Sequence, residues 1–142
     1  MLLTLVAAGC GDAKKPSGQD LTHAGYVLRA DAVCQKADEA IAKLGQPKTI
    51  PDLPAYAKDA AAIVSRERDD LKALNAAPGD EVLVQDLGTA LDDAVTVAKA
   101  LEKVAADGDP AAINDFVKQN GAANSRAKAL AKQLGMKVCS AS

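Results

Sequence analysis

A chain of 142 residues with a net charge of −2 and 25% charged side chains has room for one domain, and its two signs of charge are interspersed. It has no basic stripe of the kind that tracks a phosphate backbone, so no nucleic-acid partner is expected. Hydrophobic residues make up 49% of it but aromatics only 2%, with Phe116 the single phenylalanine. Strands favour β-branched and aromatic side chains, whereas alanine has the best helix propensity, so the composition speaks against a β-rich fold and for an all-α one.

The chain opens with a short apolar run, Leu2 to Val6, that ends in Ala7-Ala8-Gly9 and then Cys10. The run is too short to span a bilayer, which needs ~20 apolar residues. Its order resembles the lipobox of bacterial lipoproteins. That resemblance implies a signal peptide over residues 1–9, cleavage between Gly9 and Cys10, and diacylglycerol on the Cys10 thiol. Two or more acyl chains, such as palmitate, anchor a protein stably where one does not. No Lys or Arg precedes the run, so the natural start is expected upstream of Met1. Residues 10–20 are polar and contain Gly, Pro and Ser, so they form a flexible linker. Lys14 and Lys15 solubilise it or sit near anionic headgroups.

The first helix is predicted over 21–44, capped by Thr22 and stopped by Gly45. Tyr26, Ala30, Val33, Ala37, Ile41 and Leu44 fall at steps of three and four, which is one helix face. Cys34 lies beside Val33, and Glu39–Lys43 is an i,i+4 pair. Pro47 and Pro51 keep the next link non-helical. The second helix is predicted over 53–74 with Asp52 as its cap and Pro54 in its first turn. Its inner face is Leu53, Tyr56, Ala60, Ile63, Val64, Leu71 and Leu74, interrupted by Glu67. Arg66, Arg68, Asp69, Asp70 and Lys72 are its solvated side, with Arg66–Asp70 a surface pair of little worth.

The third helix, predicted over 81–106 with Asp80 as cap, carries Val84, Leu87, Leu91, Ala94, Ala98 and Leu101. A flanking stripe of Leu83, Ala90, Val97 and Val104 widens its apolar surface, so it is expected to touch two neighbours. Gly88 in its middle suggests a close backbone approach. Asp107-Gly108-Asp109-Pro110 is a stop followed by a restart. The fourth helix is predicted over 110–134, with Ile113, Phe116, Val117, Ala123, Ala127, Leu130 and Leu134 inward. Asn120, Gly121 and Asn124 make its middle polar, and Gly135 ends it. Similar lengths and short links predict an antiparallel up-down-up-down four-helix bundle over 21–142. Alanines on its facing stripes allow close packing with little room for a large internal ligand.

With Cys10 set aside for lipid, Cys34 and Cys139 remain. In an exported chain they are expected to form a disulfide, and the bundle order brings the tail after Gly135 back to the first helix; in a cytosolic chain they would be two buried thiols. The whole arrangement resembles small alanine-rich lipoproteins of the actinobacterial type. The residues that carry it are Ala8-Gly9-Cys10, the segment Tyr26 to Cys34, and the closing segment Leu134 to Cys139. That group has no assigned activity, so the resemblance implies an address and a fold and no chemistry.

A search for chemistry finds little. His23 is the only histidine and stands at a helix start, solvated or capping, so no metal is expected. No phosphate loop, dinucleotide fingerprint or nucleophile elbow is present, so no cofactor and no enzymatic activity are expected. Asp69-Asp70 and Asp92-Asp93 are adjacent on helices, point in different directions and are expected to solvate outer faces. Glu67 is the exception, because a carboxylate at a seam is costly unless it is paired, hydrogen-bonded or protonated. If it is buried facing Asn120 and Asn124, the three make a polar pocket in mid-bundle; otherwise Glu67 reaches past the bundle edge to water.

The expected protein is therefore a monomeric, non-enzymatic lipoprotein on the extracytoplasmic face of the cell membrane, anchored through Cys10. Either it binds a protein or envelope partner, or it carries a small ligand or lipid between its helices. A connected apolar cavity would favour the carrier.

Overall fold

A computed structural model describes residues 22–141. The signal segment, Cys10 and the linker lie outside the described residues. Helices α1 (His23–Leu44), α2 (Leu53–Lys72), α3 (Glu81–Asp107) and α4 (Pro110–Gln133) form an antiparallel bundle, with one 3₁₀ turn at Ile50–Asp52 before α2.

Local chemistry sets most of the helix ends. The Thr22 hydroxyl accepts from the Gly25 N–H at 3.1 Å, and the Asp109 carboxylate accepts from the Ala111 N–H at 2.9 Å, with Pro110 at the first helical position. After α4, Gly135 takes φ +79°, its N–H donates to the Lys132 carbonyl, and the Met136 N–H donates to the Ala131 carbonyl. This double closure satisfies carbonyls the helix end would otherwise leave open. Two expected caps are not caps. The Asp52 carboxylate turns back to accept from the Thr49 N–H (3.0 Å) and hydroxyl (2.8 Å), fixing the 3₁₀ turn instead. Asp80 lies 2.6 Å from His23 Nδ1, so the histidine, largely exposed as expected, also joins the start of α1 to the start of α3.

The core collects at the end of the bundle where α1 begins and α4 finishes. Tyr26, Ala30 and Cys34 of α1 pack with Leu71, Leu87, Leu91, Ala131, Leu134 and Met136. As expected, α3 packs on two neighbours, α2 and α4, while α1 packs on α2. Among the described residues, α1 and α4 have almost no direct helix-to-helix packing. On α2 the buried side chains are Leu71, assigned to its inner face, and Ala57 and Ala61, which were not; small residues sit where helix backbones come closest. Val117, assigned inward, is 60% exposed. Gly88 is buried, but a Cβ there would meet only the flexible stem of Lys72 at 3.8 Å, so no backbone crowds it.

The charged faces correct the sequence reading in a consistent way: charges expected to face water connect helices. Arg68 donates to Asp92 at 3.2 Å and Lys72 donates to the same carboxylate at 2.8 Å, so α2 clasps α3. The Lys72 hydrogen bond, helped by Arg68, holds the Asp92 carboxyl below the usual range. Neighbouring Asp93 accepts from Arg126 of α4 at 3.2 Å. The adjacent acids do point apart, each toward a different helix. The expected pairs Glu39–Lys43 and Arg66–Asp70 do not form among the described residues; Glu39 accepts from Gln35, and Arg68 donates to Asp69 and Asp92.

The tail closes the open seam between α1 and α4. Cys34 and Cys139 stand at bonding distance, with Cα atoms 5.2 Å apart. One turn before Cys34, the Asp31 carboxylate accepts from the N–H groups of Lys137 (3.0 Å), Val138 (2.9 Å) and Cys139 (3.2 Å). Successive N–H groups converging on one carboxylate are an anion nest, here filled from within the chain. Hydrogen bonds to a charged group stabilise by ~1.5–3 kcal/mol. Asp31→Ala is therefore expected to lower unfolding free energy by about 2 kcal/mol and to raise hydrogen exchange selectively over 136–141, with Asp31→Asn intermediate.

Candidate functional site

Small side chains and an open α1–α4 seam leave space between the helices. A cavity of about 350 Å³ runs along the bundle and is lined from all four helices and by Cys139. Alanines make up much of its wall, including Ala37, Ala57, Ala60 and Ala61 on α1 and α2, and Ala94, Ala98, Ala127 and Ala131 on α3 and α4. The expectation of little room for a large internal ligand stands, since this volume is at the small end of the ~300–1,000 Å³ typical of ligand sites, but the facing alanines do not close the space. Alanines permit close approach only where helices converge, and α1 does not converge on α4. The tail, through the Cys34–Cys139 bridge and the Asp31 hydrogen bonds, ties α4 back to α1.

The cavity is graded along its length. By chain position, Ile41, Tyr56, Leu101 and Phe116 line the end away from the disulfide, and that end is apolar. Asp38, Glu67, Asn120, Asn124 and Lys128 line the rest of the wall among alanines and leucines. Asp38 and Asn124 are exposed, so the cavity opens to water between α1 and α4.

Glu67, Asn120 and Asn124, singled out in the sequence, all line this one space. Glu67 and Asn120 are half-buried, whereas Asn124 stands at the rim. Burial, followed by the nearby charge of Asp38, pushes the Glu67 carboxyl up to about 7. Among the described residues it has no hydrogen-bond or ion-pair partner. The other two charged lining residues, Asp38 and Lys128, escaped the sequence reading. Their spacing contained the signal: Asp38 is four residues after Cys34, and Lys128 four after Asn124, so each continues an inward row.

Among the described residues, no group of three or more His, Cys, Asp or Glu is placed to hold a metal ion, and no helix is long and apolar enough to cross a membrane. No family model, no characterised protein and no solved structure matches the chain.

Proposed function

We propose that this domain is a carrier that holds a small, largely apolar ligand in the cleft between its helices, tethered by lipid on Cys10 to the outer face of the cell membrane. The cleft carries the reading. Its volume of about 350 Å³ falls at the small end of the ~300–1,000 Å³ typical of ligand sites, and its wall is mostly apolar with a few polar groups, the usual make-up of such a site. The address is supported by the lipobox resemblance of Ala8-Gly9-Cys10 and by the Cys34–Cys139 pair, since disulfides persist in oxidising compartments. The reading as a partner-binding module has less behind it. The exposed large hydrophobics Leu28, Ile50, Val82 and Val117 lie singly on four different elements, and scattered apolar residues are normal on any surface.

Ala98→Phe tests the cleft by filling it. The uncharged dye N-phenyl-1-naphthylamine is expected to brighten on binding the wild type. Ala98→Phe is expected to bind it at least about tenfold more weakly, a loss of ~1.4 kcal/mol, with helical circular dichroism unchanged. Ala60→Leu on the facing wall is the second filler should the phenylalanine disturb the fold. Undiminished dye binding by a folded filler overturns the assignment.

A further inference from the structure

We propose that the cleft selects ligands with a protonated amine on an apolar body, the amine being received by Glu67 with Asp38 beside it. The inference rests on the carrier reading and adds the chemistry of the head group. Among the described residues, the charged side chains that line the space are Asp38 from α1, Glu67 from α2 and Lys128 from α4, while α3 contributes none. With both carboxylates ionised the wall carries a net charge of −1, from two negative groups and one positive. A monocation neutralises that wall, whereas a carboxylate ligand would double the imbalance. Glu67 also needs a partner. It is half-buried, among the described residues it has no hydrogen-bond or ion-pair partner, and removing a carboxylate from water is costly until something replaces the lost hydrogen bonds. A ligand ammonium does so, and a charge-assisted bond of this kind is about twice as strong as a neutral one. The apolar body then lies toward Ile41, Leu101 and Phe116.

Burial and the charge of Asp38 push the Glu67 carboxyl up to about 7, so the acceptor charges and discharges near neutral pH. An alkylamine, like a lysine side chain, stays protonated until about pH 10. Amine affinity therefore follows the ionised fraction of Glu67, falling about tenfold per pH unit below that midpoint.

The test is titration calorimetry of the whole chain with decylamine, decanol and decanoate at pH 8, and with the amine and the alcohol again at pH 6 and pH 5. At pH 8 decylamine is expected to bind at least about tenfold more tightly than decanol, with decanoate weakest. The amine preference is expected to shrink at pH 6 and to be gone at pH 5. Glu67→Gln is expected to abolish both the preference and its pH dependence while still binding decanol. Decanol or decanoate binding as tightly as the amine at pH 8, or an amine preference that survives in Glu67→Gln, overturns the amine assignment and leaves the carrier standing. Failure of all three probes to bind overturns the carrier reading and this inference together.

Discussion

Replacing both Cys34 and Cys139 by alanine is expected to lower the unfolding free energy by about 4–5 kcal/mol, the largest loss from any change considered. The bridge spans a sequence separation of 105 residues. The chain-entropy argument gives ~4.7 kcal/mol for a loop of about that size, through the freedom it removes from the unfolded chain. The folded state adds a local reason. The tail and its bridge are what join α1 to α4, because those two helices scarcely pack on each other. Guanidinium unfolding of wild type and double variant, each followed by circular dichroism, measures the difference. A loss below about 1 kcal/mol would mean that the bridge only decorates a bundle that closes without it.

Glu67→Gln is expected to stabilise the protein, and only at higher pH. The Glu67 carboxyl has a folded-state value of about 7 against an ordinary 4.5, so the folded chain holds the proton more tightly than the unfolded chain does. Below the ordinary value both states are protonated, and the group costs nothing. As pH rises from about 4.5 to about 7, the unfolded chain loses the proton first, and stability falls by about 2–3 kcal/mol before levelling off. Glutamine cannot ionise and removes that decline. Urea unfolding should therefore give Glu67→Gln a gain of about 2–3 kcal/mol over wild type at pH 8 and none at pH 4. An equal effect at both pH values would show that packing, not charge, governs the position.

Much of the fold was legible because its signals are local. Helix limits follow from residues within one turn of them, such as Thr22, Gly108, Asp109 and Gly135, and each helix face follows from apolar spacing. The misses come from interactions between residues far apart in the chain. Asp80 fits a cap by sequence, but His23 lies 57 positions away and claims its carboxylate. Asp31 looks like an ordinary surface acid until the tail brings its N–H groups back across more than a hundred residues. Asp92 and Asp93 look solvated because their partners, Lys72 and Arg126, belong to other helices.

The candidate site was half legible for the same reason. Glu67 stood out because a carboxylate breaks an apolar stripe, and its grouping with Asn120 and Asn124 follows from bundle order. A polar pocket among the three was expected if Glu67 was buried; the longer apolar cleft that continues from it was not. Alanine at a seam serves close packing or leaves a cavity, and the choice depends on how far apart the helices stand. Here α1 and α4 scarcely pack on each other, and nothing in the local sequence of either helix records that separation.

Native mass spectrometry of the mature protein, taken gently from the membrane fraction of its own host, tests the central claim most directly. The expected spectrum shows Cys10 bearing diacylglycerol, the loss of a hydrogen pair for the Cys34–Cys139 bridge, and a small molecule that leaves intact on activation and is absent from the Ala98→Phe variant. A chain that arrives with its thiol at Cys10 bare and nothing held between its helices would contradict the account of a tethered carrier.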